Sequence, residues 1–169
     1  MTKFNAFVKT YDVRGLVGSQ LSEEVVECFG AAFADELDLV GKEFVVGHDM
    51  RDSSPGFAAA FSLGARKRGA NAVMLGLCST DMNYYASGLL DLPAAMFTAS
   101  HNPASYNGIK LSRAGARGIS LDTGLAAIRD RAAVFFETGI PADSVRGSER
   151  NLSVIADYSD YLRKLVPLK

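Results

Sequence analysis

A short polar stretch from Thr98 to the proline at position 103 combines several side chains that could take part in catalysis. It places the hydroxyl of Ser100, the imidazole of His101 and the amide of Asn102 next to one another, in a turn that the proline restrains. Lys110 follows ten residues after the serine. A serine, a histidine and a lysine beyond the end of a buried strand could hold a phosphate group and move a proton.

Three other kinds of site that use similar residues lack their sequence motifs here. A serine hydrolase would need a Gly-x-Ser-x-Gly turn, and His101, as the direct neighbour of Ser100, is poorly placed to accept its proton unless the backbone is unusual. The phosphate-binding loop of nucleotide hydrolases and the Gly-x-Gly-x-x-Gly loop of dinucleotide enzymes are also absent from the sequence. A serine without an activating base can still work when it is already phosphorylated, because it then needs mainly charge neutralisation and positioning.

Strand and helix patterns alternate around these residues. Short apolar, β-branched runs predict strands, and amphipathic runs with polar caps predict helices. The predicted strands are 43–47, 71–77, 94–98 and 109–112. The predicted helices are 21–37, 55–68, 80–88, 121–136 and 154–166, with Ser22, Thr80 or Asp81, and Asp122 as caps. This order predicts an α/β fold, with a mixed, mainly parallel sheet sandwiched between helices.

In such sheets the ligand lies beyond the carboxyl ends of the strands. Three polar loops follow predicted strands, at residues 48–55, 78–81 and 99–107. We therefore expect the chemistry to lie where these three loops meet.

Composition excludes several classes of protein. The 169 residues are 48% hydrophobic and 22% charged, which is too apolar for a disordered chain, and the net charge of −1 gives no support to a nucleic-acid partner. The sequence has neither a membrane-spanning apolar run nor the apolar stretch of a signal peptide at its start, so we expect no membrane partner. Two distant cysteines, Cys28 and Cys78, are expected to be reduced, and with two histidines they are too few for a zinc site. These features favour a cytoplasmic protein.

Four motifs in this order resemble those of the phosphomannomutase/phosphoglucomutase family of α-D-phosphohexomutases. They are Tyr-Asp-Val-Arg-Gly at 11–15, Gly-His-Asp-Met-Arg at 47–51, Thr-Ala-Ser-His-Asn-Pro at 98–103 and Tyr-Asn-Gly-Ile-Lys at 106–110. The third is similar to the phosphoserine motif of that family. The resemblance spans residues 11–110 and extends plausibly over the whole chain.

The resemblance implies a role for each matching residue. Ser100 would be the phosphoserine that gives a phosphoryl group to a hexose phosphate and takes one back from the bisphosphate intermediate. Lys110 and Arg14 would act as acid, base or charge-stabilising groups, and His101 would support the loop or share in proton transfer. Substrate-binding residues in the same cleft would be Asp49, Arg51 and Asn102.

The same resemblance implies cofactors and partners. A phosphate oxygen on Ser100 would be one ligand of a Mg²⁺ ion, and glucose or mannose 1,6-bisphosphate would be the activator. The substrate would be a hexose phosphate, of glucose, mannose or both. The family's metal loop, its sugar-binding loop and its C-terminal phosphate-binding loop do not occur in this sequence, so the other metal ligands are expected in domains two to four of a longer polypeptide. Asp52 and Asp81 stand where relatives often have prolines.

We therefore expect residues 1–138 to form the phosphoserine-bearing catalytic domain I. Residues 139–153 are rich in Gly, Pro, Ser and charge and are predicted to be a linker or an exposed excursion. Residues 154–169 are predicted to be the opening helix of a truncated second domain, although a C-terminal helix docked on the first domain fits the same pattern. We expect the chain alone to fold, to have negligible mutase activity and to self-associate through an exposed apolar flank.

Two alternatives remain open at this point. One is a non-catalytic domain that binds sugar phosphates without turnover, although such a domain would not need a phosphorylatable serine. The other is a phosphoglucosamine mutase, a subgroup that tends to have serine where this chain has Thr98.

Overall fold

A computed structural model describes residues 3–141 and 145–166. The helices in this part of the chain are α1 (Glu23–Glu36), α2 (Ser54–Lys67), α3 (Thr80–Leu90), α4 (Leu125–Thr138) and α5 (Ile155–Leu165). The strands are β1 (Val13–Leu16), β2 (Glu43–His48), β3 (Asn71–Leu77), β4 (Ala94–Phe97), β5 (Tyr106–Arg113), β6 (Arg117–Gly118) and β7 (Glu149–Asn151). None of the helices described is both long enough and apolar enough to cross a lipid bilayer.

The strands form one mixed sheet in the order β1-β5-β4-β2-β3-β7, with β6 paired to β5. Strand β2 runs parallel to both β4 and β3, and β7 runs parallel to β3. Strand β5 is antiparallel to β4 and to β1. The predicted α/β class with a mixed, mainly parallel sheet between helices is confirmed, and the antiparallel pairs lie on the β5 side.

Alternate residues of β2 enter opposite cores, as the two-residue period of a strand requires. Phe44 and Val46 pack into the larger core beneath α1, α2 and α4, whereas Val45 packs into the smaller core beneath α3. Both faces of this strand are therefore buried, which explains its continuous apolar run.

Helix starts follow the predicted chemistry with one shift. The Ser22 side chain accepts a hydrogen bond from the Val25 amide and caps α1, and a proline lies in the first turn of α2, both as predicted. The cap of α3 is Ser79 and not Thr80 or Asp81, because Ser79 is extended and its hydroxyl accepts from the Met82 amide. The prediction was wrong by one residue.

The predicted helix 121–136 is interrupted near its start. Residues 121–123 form a short 3₁₀ turn, and α4 begins only after Gly124, whose φ of 135° breaks the helical path. Asp122 lies inside that turn, and Ser120 and Thr123 exchange the capping hydrogen bonds instead. The Asp122 cap is therefore wrong.

The segment 139–153 contains a strand. Residues 149–151 form β7 at the edge of the sheet, with all three residues exposed, and Arg66 holds the segment by donating to the Gly147 carbonyl at 3.2 Å. Helix α5 follows and touches α3 through Tyr85, which contacts the rings of Tyr158 and Tyr161. The predicted domain boundaries stay predictions, and residues 1–2, 142–144 and 167–169, which fall within those segments, lie outside the described residues.

Candidate active site

The loops that follow β2, β3 and β4 meet at one edge of the sheet, because these three strands are parallel neighbours. Ser100 lies between two open clefts there, of about 490 and 370 Å³, and lines both of them. Met50 and Asn102 are among the residues that line the larger cleft, and Asp49 and Thr80 line the smaller one. The sequence placed its candidate residues at this edge.

Two helices begin at these clefts. Ser53, which precedes the first turn of α2, lines the larger cleft, and Ser79, which caps α3, lines the smaller one. The N-terminus of a helix carries unpaired N–H groups and partial positive charge, so it favours anions. The surroundings of Ser100 therefore suit a phosphate group.

The backbone at Ser100 is left-handed, with φ of 54°, which is uncommon for a residue other than glycine. Holding such a conformation costs about 1 to 3 kcal/mol, so the surrounding contacts must enforce it. The conformation brings the exposed Ser100 Oγ to 3.2 Å from Nδ1 of His101. The sequence predicted that these neighbours would be poorly placed for proton exchange unless the backbone was unusual, and the left-handed backbone fulfils that condition.

Arg51 holds the Ser100 loop from below through the backbone. Its Nη1 and Nη2 donate, at 2.7 to 2.9 Å, to the carbonyl oxygens of Ser100, Asn102, Pro103 and Tyr106. Its Nε donates to Oδ2 of Asp49 at 3.2 Å. These bonds occupy all five N–H groups that a guanidinium has.

Asp49 links Arg51 to the residues on either side of it. Its carboxylate accepts from the backbone and side chain of Arg51, and Oδ1 accepts from the Ser54 hydroxyl at 2.6 Å. Burial alone would raise the pKa of Asp49, but the hydrogen bonds from Ser54, the Arg51 amide and Thr98, with the Arg51 charge, outweigh it and lower the pKa below its ordinary value. Thr98 in turn accepts the Ser100 amide at 2.9 Å.

The predicted cations Arg14 and Lys110 share one carboxylate oxygen. Oδ2 of Asp12 lies 2.5 Å from Nη2 of Arg14 and 3.4 Å from Nζ of Lys110, and Asp12 is buried. The two cations come together because β1 and β5 are antiparallel neighbours, with Arg14 opposite Gly108. The Gly108 carbonyl accepts the Thr98 amide at 3.2 Å, which ties this pair of strands to the start of the Ser100 loop.

Two asparagines fix the loop from inside. The side chain of Asn102, predicted to bind substrate, donates to the Ala99 carbonyl at 2.8 Å and closes the turn around Ser100. The Asn107 amide, which is fully buried, donates to the hydroxyls of Ser53 and Ser54 at 2.8 and 2.9 Å. The loop is therefore fastened to the start of α2 as well.

Sequence reasoning gave no role to Asp12, Asn107 or Thr98. All three belong to the motifs that carry the resemblance, and each is a buried polar residue that needs a partner. Their membership in the motifs was the available signal, but their partners lie on other elements and could not be read from the sequence.

Neither a metal cluster nor a second nucleophile competes with Ser100 in the part of the chain described. No three His, Cys, Asp or Glu residues among the described ones come together in a way that could hold a metal ion. Cys28 and Cys78 are free and buried, and burial raises the pKa of the Cys78 thiol at the smaller cleft to about 11. That thiol stays protonated near neutral pH and is a poor nucleophile.

The sequence matches a known family over most of its length. The model described as phosphoglucomutase/phosphomannomutase, alpha/beta/alpha domain I, matches residues 5–134. Phosphohexose mutases from Xanthomonas campestris are 45% identical over 126 residues, which cover 74% of this chain and 28% of the relative. A phosphomannomutase from Salmonella typhimurium is 36% identical over 176 residues, which cover the whole of this chain and 38% of the relative.

Solved structures of similar proteins share the fold. A phosphoglucomutase/phosphomannomutase family protein from Burkholderia thailandensis superimposes with a TM-score of 0.80 at 29% identity, covering 99% of this chain and 36% of that one. The phosphomannomutase of Thermus thermophilus, described as putative in its title, gives 0.79 at 27% identity. The chain thus spans between about a quarter and two fifths of the length of these relatives.

Proposed function

Because the chain belongs to the phosphoglucomutase/phosphomannomutase family, as its domain I, we propose that it supplies the phosphoserine, Ser100, of a mutase that interconverts hexose 1-phosphates and hexose 6-phosphates. The observation that carries this proposal is the state of Ser100. Its hydroxyl is exposed between two clefts, while the backbone beneath it is held in a left-handed conformation by Arg51, Thr98 and Asn102.

The reaction needs one proton to move with each phosphoryl group. When phosphorylated Ser100 gives its phosphoryl group to a sugar hydroxyl, the bond between phosphorus and Oγ breaks and a bond to the sugar oxygen forms. The sugar hydroxyl loses a proton, and Oγ gains one. His101, with Nδ1 at 3.2 Å from Oγ, is the group placed to deliver the proton to Oγ and to remove it again when the bisphosphorylated sugar returns its other phosphoryl group.

The cations Arg14 and Lys110 serve charge stabilisation in this proposal. A phosphoserine carries about −1.5 to −2 charges near neutral pH, so cations and N–H groups must balance it. The carboxylate of Asp12 holds both cations in fixed positions and leaves them a net positive charge. Lys110 or Arg14 would receive the proton of the sugar hydroxyl or stabilise the charge that builds up on it.

Other parts of the reaction would be supplied from outside these residues. A Mg²⁺ ion would meet this chain only through the phosphate on Ser100, and when bound it would neutralise part of that charge. Since the chain spans 38% or less of the relatives reported above, we propose that the other ligands and the sugar-binding groups lie in further domains of a longer polypeptide. The chain alone would then show negligible turnover, because it lacks most of the groups that hold the sugar.

Intact-mass spectrometry tests the phosphoserine. The chain is incubated for a long period with glucose or mannose 1,6-bisphosphate, the proposed activators, and the added phosphate is mapped to a peptide. We expect one phosphate on Ser100, none in the Ser100→Ala variant, and full phosphorylation in the control Ser105→Ala, which changes another exposed serine of the same loop. A chain that binds the bisphosphate but never carries phosphate would instead be the non-catalytic sugar-phosphate-binding domain.

A further inference from the structure

Arg51 was expected to bind substrate, but its contacts point to a different task. All five of its side-chain N–H groups are used inside the protein, four on backbone carbonyls of one loop and one on Asp49. A substrate phosphate could bind this guanidinium only by displacing bonds of 2.7 to 3.2 Å to the loop and to Asp49. We infer that Arg51 is a positioning residue, which shapes the Ser100 loop and leaves phosphate binding to other groups.

The carbonyls that Arg51 gathers determine where the neighbouring amides point. In a trans peptide the C=O and the N–H point in opposite directions, and the described residues contain no cis peptide. The carbonyls of Ser100 and Pro103 point at Arg51, so the N–H groups of His101 and Ala104 are directed away from it. Backbone N–H groups exposed in this way commonly bind anions.

Asp49 makes the Arg51 arrangement rigid on both sides. It holds Nε and the backbone amide of Arg51, and through Thr98 it is linked to the amide of Ser100. The Arg51 and Asp49 side chains are 12% and 13% exposed, so solvent screens their interaction little. Because Asp49 and Arg51 come from one loop and Ser100 from another, this pair sets how the two loops sit relative to each other.

A lysine cannot replace this arginine. Its ammonium group has the same charge but only three donors at one point, whereas the planar guanidinium reaches four carbonyls at once. Arg51→Lys therefore keeps the charge and removes the geometry. Arg66→Lys is the matched control, because Arg66 also donates to a distant backbone carbonyl, that of Gly147, but on the β7 side of the sheet.

The first measurement uses the chain without any ligand. Amide hydrogen exchange reports the loop directly, since the amides of Asn102 and Tyr106 bond to carbonyls within it. We expect Arg51→Lys to speed their exchange by about tenfold, as the loss of hydrogen bonds to a charged group predicts, and Arg66→Lys to leave them unchanged. Unchanged exchange in Arg51→Lys would overturn the inference.

The second measurement rests on the proposed function. With glucose 1,6-bisphosphate as donor, Arg51→Lys should lower the maximal rate of Ser100 phosphorylation about tenfold or more and leave the half-saturating donor concentration within about twofold, because a misplaced nucleophile slows chemistry without weakening binding. A raised half-saturating concentration with normal loop exchange would identify Arg51 as a phosphate ligand and contradict the inference. If the unaltered chain is never phosphorylated, the proposed function fails while the exchange result still decides the role of Arg51 in the loop.

A third measurement needs no substitution and covers the case in which Arg51→Lys does not fold. In ¹⁵N NMR spectra of the unaltered chain, we expect the Arg51 side-chain N–H signals to exchange slowly with water and to stay in place when inorganic phosphate or mannose 1-phosphate is added. Arg51 signals that exchange fast, or that move with phosphate in a saturable way, would overturn the inference.

Discussion

The hydroxyl of Ser100 and the imidazole of His101 lie 3.2 Å apart although the two residues are adjacent in the chain. Adjacent side chains rarely face each other in extended or helical backbone, and here the left-handed φ of 54° at Ser100 brings them together. The nucleophile and its proton partner therefore depend on one backbone conformation, which Arg51, Thr98 and Asn102 hold in place.

The left-handed backbone predicts an inverted order of stability for two substitutions. At most positions alanine is more stable than glycine, but at a left-handed position glycine avoids a penalty of about 1 to 2 kcal/mol. We expect Ser100→Gly to be about 1 kcal/mol more stable than Ser100→Ala in urea denaturation. The neighbouring Ser105, which is not among the residues with positive φ, should show the usual order. Equal stability of the two Ser100 variants would contradict the left-handed conformation.

The carboxylate of Asp12 should control both the cations and a nearby tyrosine. Burial, Asp81 and Asp12 together raise the pKa of Tyr84. Asp12→Asn removes one of these negative charges, so we expect the pKa of Tyr84 to fall in an ultraviolet titration and the rate of Ser100 phosphorylation to fall because Arg14 and Lys110 lose their shared anchor. Asp130→Asn, on α4, should change neither; an unaltered Tyr84 titration in Asp12→Asn would count against this arrangement.

Acid should remove the stabilising effect of Asp49. The pKa of Asp49 is lower in the folded chain than the ordinary value of about 3.9, so its contribution to stability is present above that value and is lost as the pH falls through the folded pKa. We expect the difference in unfolding free energy between the unaltered chain and Asp49→Asn to be constant from pH 7 to about pH 5 and to shrink below about pH 4. A difference that grows on acidification would have the wrong sign.

The apolar surface of α5 should drive self-association of the chain. Leu165 and Ile155 are 58% and 60% exposed, and an open groove of about 590 Å³ lies between α3 and α5. Sedimentation velocity should show a concentration-dependent increase in mass that Leu165→Glu reduces. Val134→Glu, which alters an equally exposed side chain on α4, is the control and should leave it intact. A chain that stays monomeric at high concentration would refute this prediction.

The regular elements could be predicted because their signals are local. The apolar runs of β2, β3 and β4 and the capping serine of α1 depend on neighbours within a few residues, and the structure confirms them. Strand β1 escaped prediction because its four residues are half charged or exposed, and its identity comes from pairing with β5. Strand β7 is wholly exposed and has no apolar pattern to reveal it.

The members of the site could be predicted, but their connections could not. Ser100, His101, Arg14 and Lys110 were named from the sequence, whereas the five bonds of Arg51 and the shared oxygen of Asp12 depend on contacts between distant segments. The left-handed backbone at Ser100 also has no local signal, because the residue there is not glycine. Tertiary contacts impose it.

The central claim is that Ser100 passes a phosphoryl group to a hexose, and label transfer tests it most directly. The chain is prepared with ³²P on Ser100, freed of donor, and mixed with mannose 1-phosphate or glucose 1-phosphate and Mg²⁺. We predict that label leaves the protein slowly and appears in equal amount in the hexose 1,6-bisphosphate. Label that stays on the protein, or that leaves only as inorganic phosphate whether or not the sugar is present, would contradict the claim.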